Sequence, residues 1–140
     1  MSRIFWNTNL FIYFLEGSGT LSLATKRLRT AMLARGDQLL TSTFTLGEIL
    51  VKPLEKGDGA RSRAIEEAIR KAALMLPFDT NVAWLYATIR SDRSIKPPDV
   101  IQLACAAGAG VDLFVTNDRR LQGKHIHGIQ FIVALDQVPI

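Results

Sequence analysis

Short apolar runs typical of buried strands alternate along this chain with longer segments of helical spacing. The strand-like runs are "IFW" near the N-terminus, then "QLLTS", "LPFD", "DLFVTND" and "IQFIVAL". Strands that alternate with helices favour a parallel sheet with helices on both faces. We therefore predict an α/β fold, and ligands of such sheets bind outside the carboxyl ends of the strands.

The segments between these runs carry helix start and stop signals. The basic segment Leu21–Arg35 has helical spacing and ends at Gly36. In "TFTLGEILVKPLEKG", Glu48 follows Thr45 by three residues, which is the spacing of a capping box. The segment "KPPDVIQLACAAGAG" begins with prolines, which the first turn of a helix tolerates.

Length and composition favour a single globular domain over residues 1–140. No apolar run reaches the roughly 18 to 20 residues that cross a membrane, and no basic, apolar and small-residue leader begins the chain, so we expect a cytoplasmic protein. The single cysteine, Cys105, lies among small residues and is expected in the core. The net charge of +4 fits contact with a polyanion but does not require one.

Four polar residues lie at element boundaries, or on helices, near the carboxyl edge of the predicted sheet. They are Asn7 after the first strand, Glu48 on a helix, Asp99 at a helix start and Asp118 after the fourth strand. Each taken singly has an ordinary interpretation as a helix cap or a surface charge. Three acids that converge from distant segments repel one another, however, and favour a bound cation.

The expected cation is Mg²⁺ or Mn²⁺, because hard ions prefer oxygen ligands and retain waters that a substrate phosphate can replace. Such a site activates water and neutralises charge on a phosphodiester. Zinc is disfavoured because His125 and His127 have no cysteine or acidic companions nearby. The chain contains no GxGxxG, GxxxxGK[ST], GxSxG or HExxH motif, so other common catalytic machineries lack their essential parts.

Four segments in order resemble the PIN-domain nucleases, in particular the toxin component of VapBC-type toxin–antitoxin pairs. They are "FWNTNLFIYFLEG", "STFTLGEILVKPLEKGD", "LPFDTNVAWLYATIR" and "IKPPDVIQLACAAGAGVDLFVTNDRRL". The resemblance covers essentially the whole chain. It implies a three-layer α/β/α sandwich with a central parallel sheet of about five strands, and cleavage of RNA that depends on Mg²⁺ or Mn²⁺.

The resemblance also implies roles for individual residues. Glu48, Asp99 and Asp118 match the second, third and fourth acids of the family, which hold the metal and serve catalysis, whereas Asn7 occupies the place of the first. Three polar residues match positions beside the acids, where they would orient the ligands: Thr8, Asn9 and Thr116. They are equally well explained as ordinary turn and capping residues.

Asn7 is the one departure from the family pattern. An amide keeps the shape of an aspartate but brings no negative charge, so we expect weaker metal binding and little or no cleavage. Two origins fit: deliberate replacement of an aspartate to silence a toxic enzyme, or natural decay to a homologue that only binds. The deliberate change is favoured, because a decaying site would lose more than one acid.

Substrate and partners follow from the same resemblance. Arg119 and Arg120, beside Asp118, are the expected RNA contacts, although an exposed helix start explains them equally well. Trp6 and Trp84 lie in apolar patterns and are expected in the core. The resemblance implies a VapB-type antitoxin and a homodimer. The leading hypothesis is thus a toxin-type endoribonuclease. The alternatives are a degenerate PIN domain that binds antitoxin or RNA without cutting, and a nuclease of another substrate class.

Overall fold

A computed structural model describes residues 1–139 as five strands and six α-helices. The strands are β1 (Arg3–Trp6), β2 (Gln38–Ser42), β3 (Leu74–Leu76), β4 (Val111–Val115) and β5 (Ile129–Val133). The helices are α1 (Thr8–Glu16), α2 (Thr20–Arg35), α3 (Thr43–Glu55), α4 (Gly59–Ala72), α5 (Thr80–Ile89) and α6 (Pro97–Ala109), and a short 3-10 turn spans Leu135–Gln137.

The five strands form one parallel sheet in the order β3-β2-β1-β4-β5. Strand β1 lies at the centre, where Phe5 pairs with Leu40 of β2 on one side and with Phe114 of β4 on the other. The chain builds outward from β1 to β3 and then returns to the opposite side of β1. The order therefore reverses between β1 and β4, and a ligand crevice is expected at the carboxyl ends of these two strands.

Helices cover both faces of the sheet. Along β1, Phe5 points into a core shared with α5 and α6, while Ile4 and Trp6 point into a second core with α1 and α2. The rings of Phe5 and Phe114 stack with their centroids 5.1 Å apart. The predicted α/β/α sandwich with a parallel five-stranded sheet is therefore confirmed.

Two predictions of local secondary structure were wrong. The third strand is Leu74–Leu76 and not "LPFD", because Pro77 has no N–H with which to continue the ladder. Helix α3 is capped by Ser42, whose Oγ accepts from the Thr45 N–H at 3.2 Å, so the capping box of Thr45 and Glu48 does not form. The carboxylate of Glu48 is consequently free for other contacts.

The two tryptophans differ in their exposure to solvent. Trp6 is fully buried as predicted, whereas Trp84 is 75% exposed, because α5 packs on α6 through its opposite face, where Val82 lies against Gly108. Cys105 is buried as expected, and burial raises the pKa of its thiol to about 11. Within residues 1–139, no helix is both long and apolar enough to cross a bilayer.

Candidate active site

Asn7 lies at the carboxyl end of β1, at the point where the strand order reverses. Its N–H donates to the Val115 carbonyl of β4 at 3.0 Å. Its side-chain Oδ1 accepts from the Thr8 N–H at 2.9 Å and so caps α1, while its Nδ2 donates to Thr116 Oγ1 at 3.1 Å. Both ends of the amide are therefore occupied within a side chain that is only 7% exposed.

Glu48 reaches this edge from the second turn of α3. Its Oε1 accepts from the Thr8 hydroxyl at 2.6 Å, which joins α3 to the first residue of α1. Because Thr8 follows Asn7 directly, the contact draws the carboxylate toward position 7.

Asp99 lies in the first turn of α6, after the prolines at the helix start, and is about half-buried. Burial has the largest effect and raises the pKa of its carboxyl, the charges of Asp118 and Glu48 raise it further, and Arg120 and Lys96 oppose them. Asp118 and Glu48 are thus both near enough to Asp99 to act on its carboxyl. Partial removal from water has the larger effect, because it disfavours the charged form of the group.

Asp118 follows β4 in the turn that Thr116 begins. Its N–H donates to Thr116 Oγ1 at 3.1 Å, and its carboxylate receives Arg120 through Nε at 3.0 Å and Nη2 at 2.8 Å. These hydrogen bonds from Arg120 hold the pKa of Asp118 below its usual range. The guanidinium of Arg120 is therefore hydrogen-bonded to both carboxylate oxygens of Asp118.

A hard divalent ion requires a set of oxygen ligands. Among residues 1–139, no three His, Cys, Asp or Glu side chains are placed so that they could enclose a metal ion by themselves. Mg²⁺, however, is usually held by one or two carboxylates together with waters and substrate phosphates. Asp99, a half-buried carboxyl with Glu48 and Asp118 near it, suits such a partly hydrated ion.

A buried polar cluster beneath the acids was not predicted from the sequence. Gln102, which is 1% exposed, donates from Nε2 to Thr8 Oγ1 at 2.9 Å and to Thr45 Oγ1 at 2.7 Å, and its Oε1 accepts from Ser42 Oγ. The available signal was a lone glutamine three residues after Asp99, in an otherwise apolar helix "VIQLACAAGA". A polar side chain in such a helix requires buried partners.

Asn9 and Arg119 complete the set of predicted site residues. Asn9 Oδ1 is buried without a hydrogen-bond partner among residues 1–139. Arg119 is exposed, and so are His125 and His127.

The PIN-domain family matches residues 4–124. No curated protein matches the chain. The chain is similar to VapBC2 from Rickettsia felis bound to a promoter DNA fragment, with 13% identity over 94% of this chain and 98% of that chain and a TM-score of 0.74. It is also similar to DNA-bound VapBC from Salmonella typhimurium, with 21% identity over 96% of this chain and 99% of that chain and a TM-score of 0.73. A third similar structure is FitAB bound to an IR36 DNA fragment, with 18% identity over 98% of each chain and a TM-score of 0.69.

The parallel α/β/α sandwich defines the class of fold. Carboxylates lie near the point where the strand order of its sheet reverses. The chain belongs to the PIN-domain family. The likeness to the VapBC and FitAB structures is a likeness of fold.

Proposed function

We propose that this chain is a toxin-type endoribonuclease in which Glu48, Asp99 and Asp118 hold Mg²⁺ or Mn²⁺. The observation that carries the proposal is the approach of Glu48 on α3 and Asp118 after β4 to Asp99 at the start of α6. Both carboxylates add to the effect of burial in raising the pKa of Asp99. Carboxylates that lie near one another at an electrostatic cost to the metal-free protein are typical of a site that binds a cation in the functional protein. When bound, the ion would activate water and neutralise charge on the phosphodiester.

The residues of the chain supply the remaining functions. Thr8 and Thr116 hold the carboxylate of Glu48 and the turn of Asp118 in place. Arg119 and Arg120 lie at the same edge and are proposed to contact the RNA backbone. Arg120 must then exchange Asp118 for a phosphate, which the exposed position of its side chain allows.

We further propose that Asn7 attenuates this chain. Its Oδ1 is occupied by the Thr8 N–H, its Nδ2 is a donor, and it adds no charge to the site. An aspartate at position 7 retains the cap and supplies a charged oxygen where the amide presents N–H groups.

The decisive experiment is cleavage of total RNA with Mg²⁺ or Mn²⁺ by this chain and by Asn7→Asp, with Asn7→Asp/Asp99→Ala as the matched blank. Cleavage that appears with Asn7→Asp and disappears with the added Asp99→Ala supports a nuclease attenuated at one position. A folded Asn7→Asp protein that cuts with neither metal contradicts the proposal.

The second candidate function is a degenerate PIN domain that binds antitoxin or RNA without cutting it. Two observations favour it: the neutral Asn7 at the switch point, and the two-point contact of Arg120 with Asp118. Metal-independent RNA or antitoxin binding by a folded Asn7→Asp protein without cleavage would select this function.

A VapB-type antitoxin is the proposed partner. Between α1, α3 and α4 lies a groove of about 680 Å³ with Glu48 among its lining residues. Its apolar lining includes Ile12, Leu15, Ile49 and Val51, and Ile12 and Val51 are 38% and 51% exposed. An amphipathic segment laid in this groove would bring a basic side chain to the acids.

We also propose a homodimer. A hollow of about 470 Å³ is lined by residues of α3, α5 and α6 together with Phe78, which is 47% exposed, and α5 also carries the exposed Trp84. Sedimentation with and without antitoxin would measure the assembly. The assignment of residues 1–140 to one domain and of the protein to the cytoplasm stays a prediction.

A further inference from the structure

Gln102 uses its whole amide in the buried cluster beneath the acids. Its two N–H groups go to Thr8 and Thr45, and its oxygen accepts from Ser42. Thr41 Oγ1 lies 3.0 Å from the Trp6 carbonyl, which can only accept, so the single hydroxyl proton of Thr41 is donated there. The Thr45 hydroxyl therefore donates to Thr41 Oγ1 across 2.8 Å. Every donor and acceptor of this cluster is thereby satisfied.

The orientation of the Gln102 amide follows from the contact between Thr8 and Glu48. If the amide were turned over, its oxygen would face Thr8 Oγ1 and take the single hydroxyl proton of Thr8. Thr8 Oγ1 and Glu48 Oε1, only 2.6 Å apart, would then face each other without a proton between them. The observed distance therefore requires Gln102 to donate to Thr8 and Thr8 to donate to Glu48.

The chain of hydrogen bonds that begins at Gln102 ends at the carboxylate of Glu48. Thr45 Oγ1 lies 3.4 Å from Thr8 Oγ1 and already accepts from Gln102, so the carboxylate is the best acceptor within reach of the Thr8 hydroxyl. One oxygen of Glu48 is restrained by Thr8, which leaves the other for a ligand. Glu48 itself is on an exposed face of α3 and has no other restraint in this cluster.

We propose that Gln102 is a positioning residue of the acid site, which acts on Glu48 through the Thr8 hydroxyl. The inference rests on the proposed function in that it takes Glu48 as a metal ligand. Within residues 1–139, Gln102 forms no hydrogen bond to any of the three acids. It belongs to α6, the helix that also carries Asp99, and therefore couples the placement of Glu48 on α3 to that of Asp99.

The first test compares Gln102→Met, which keeps the volume but removes the donors, with the parent chain. Mn²⁺ affinity is measured by titration, and the side-chain position of Glu48 is read from crystal structures without metal. The expected result is a loss of about 10-fold in Mn²⁺ affinity, as for other groups that orient metal ligands. Glu48 should also leave its single position. Unchanged affinity together with an unmoved Glu48 overturns the proposal.

A matched pair at Thr8 covers the case in which Gln102→Met does not fold. Thr8→Val removes the hydroxyl at nearly constant shape and should reproduce the loss, whereas Thr8→Ser retains the hydroxyl and should restore it. In the double variant Thr8→Val/Gln102→Met, the losses in Mn²⁺ affinity should not add, because both act on the same hydrogen bond. The proposal is overturned if Glu48 keeps its position in Thr8→Val. It is also overturned if the losses in Mn²⁺ affinity of the two single variants add in the double variant.

The two readouts separate this proposal from the metal site itself. If the parent chain and Asn7→Asp both fail to bind Mn²⁺, the proposed function fails, while the metal-free position of Glu48 still decides whether Gln102 acts through Thr8.

Discussion

The amide of Asn7 donates to the hydroxyl of Thr116 across 3.1 Å, and this bond joins the carboxyl ends of the two neighbouring strands β1 and β4. Asn7 at the same time caps α1, and Thr116 also receives the Asp118 N–H. Local backbone structure and site geometry are therefore fixed by the same two side chains.

Asn7→Ala removes this cap together with the bond to Thr116. We expect it to lower the free energy of unfolding by about 1–2 kcal/mol, the usual cost of an N-cap. Urea unfolding measures the loss. Asn9→Ala, in the same helix but at a side chain whose Oδ1 has no hydrogen-bond partner among residues 1–139, is the matched control and should cost less. Equal losses at both positions would contradict the capping role.

Asp99→Asn should stabilise the metal-free protein at pH 7, because burial and like charges disfavour the Asp99 carboxylate in the folded state. The gain should be no more than about 1 kcal/mol, since solvent screens a half-exposed group. A raised folded-state pKa means that the penalty grows as the pH rises through the acidic range, so the gain should shrink as the pH is lowered. Urea unfolding at several pH values tests this. A destabilised Asp99→Asn protein would be the contrary result.

Ser42→Ala should cost more than an ordinary cap. It removes the acceptor for the Thr45 N–H and also the donor to the buried Gln102 oxygen, for a total of about 2–3 kcal/mol. Asp58→Ala removes the cap of α4 in an exposed setting, where about 1 kcal/mol is expected. Chemical denaturation of the two variants should reveal the difference, and equal costs would mean that the bond to Gln102 contributes little.

Gly128→Ala should destabilise the fold strongly. Gly128 has a φ of +95°, and a Cβ added there would lie 2.6 Å from the Ala107 carbonyl oxygen at the end of α6. We expect a loss of about 3 kcal/mol or more, because backbone must move to relieve the overlap. Gly123→Ala is the control: Gly123 has a φ of +82°, but a Cβ added there would have no atom of the described part of the chain within 4 Å, so the cost should be about 1 kcal/mol. Thermal unfolding that ranks the two equally would contradict the steric argument.

The cluster of Asp92, Ser94 and Lys124 predicts a pH dependence of stability. Hydrogen bonds from Ser94 and Lys124 lower the pKa of Asp92 to about 2. A lowered folded-state pKa stabilises the fold at pH values above the ordinary carboxyl pKa of about 4, and the contribution disappears as the pH falls toward 2.

Asp92→Asn should therefore be less stable than the parent near neutral pH and converge with it between pH 4 and pH 2, as measured by unfolding at a series of pH values. Asp136→Asn makes the same charge change on an exposed turn and serves as the control. A gap that persists at pH 2 would show that the charge of Asp92 is not its cause.

Much of the architecture could be predicted from the sequence, because it depends on local patterns. The apolar runs and helical spacings placed the strands and helices, and a parallel sheet necessarily collects the carboxyl ends of its strands at one edge. That is why Asn7 and Asp118 could be assigned to the same edge although more than a hundred residues separate them. Their roles at a metal remain to be tested.

The errors arose where a local sequence pattern allowed more than one arrangement and the packing of other segments decided between them. Glu48 has capping-box spacing from Thr45, but Ser42 caps α3 and Glu48 turns to Thr8 instead. Trp84 lies in a helical apolar pattern, but only the opposite face of α5 meets α6. Spacing shows which residues share a helix face and does not show which face is covered.

The sequence by itself therefore determined the fold class and the edge of the sheet near which the predicted acids lie, since these follow from the alternation of strands and helices and from residue type. Only the tertiary structure decided which partners those acids have: Thr8 for Glu48, Arg120 for Asp118, and Gln102 beneath them. Hydrogen bonds are directional and short-ranged, so their partners are settled only when helices far apart in sequence are packed against one another.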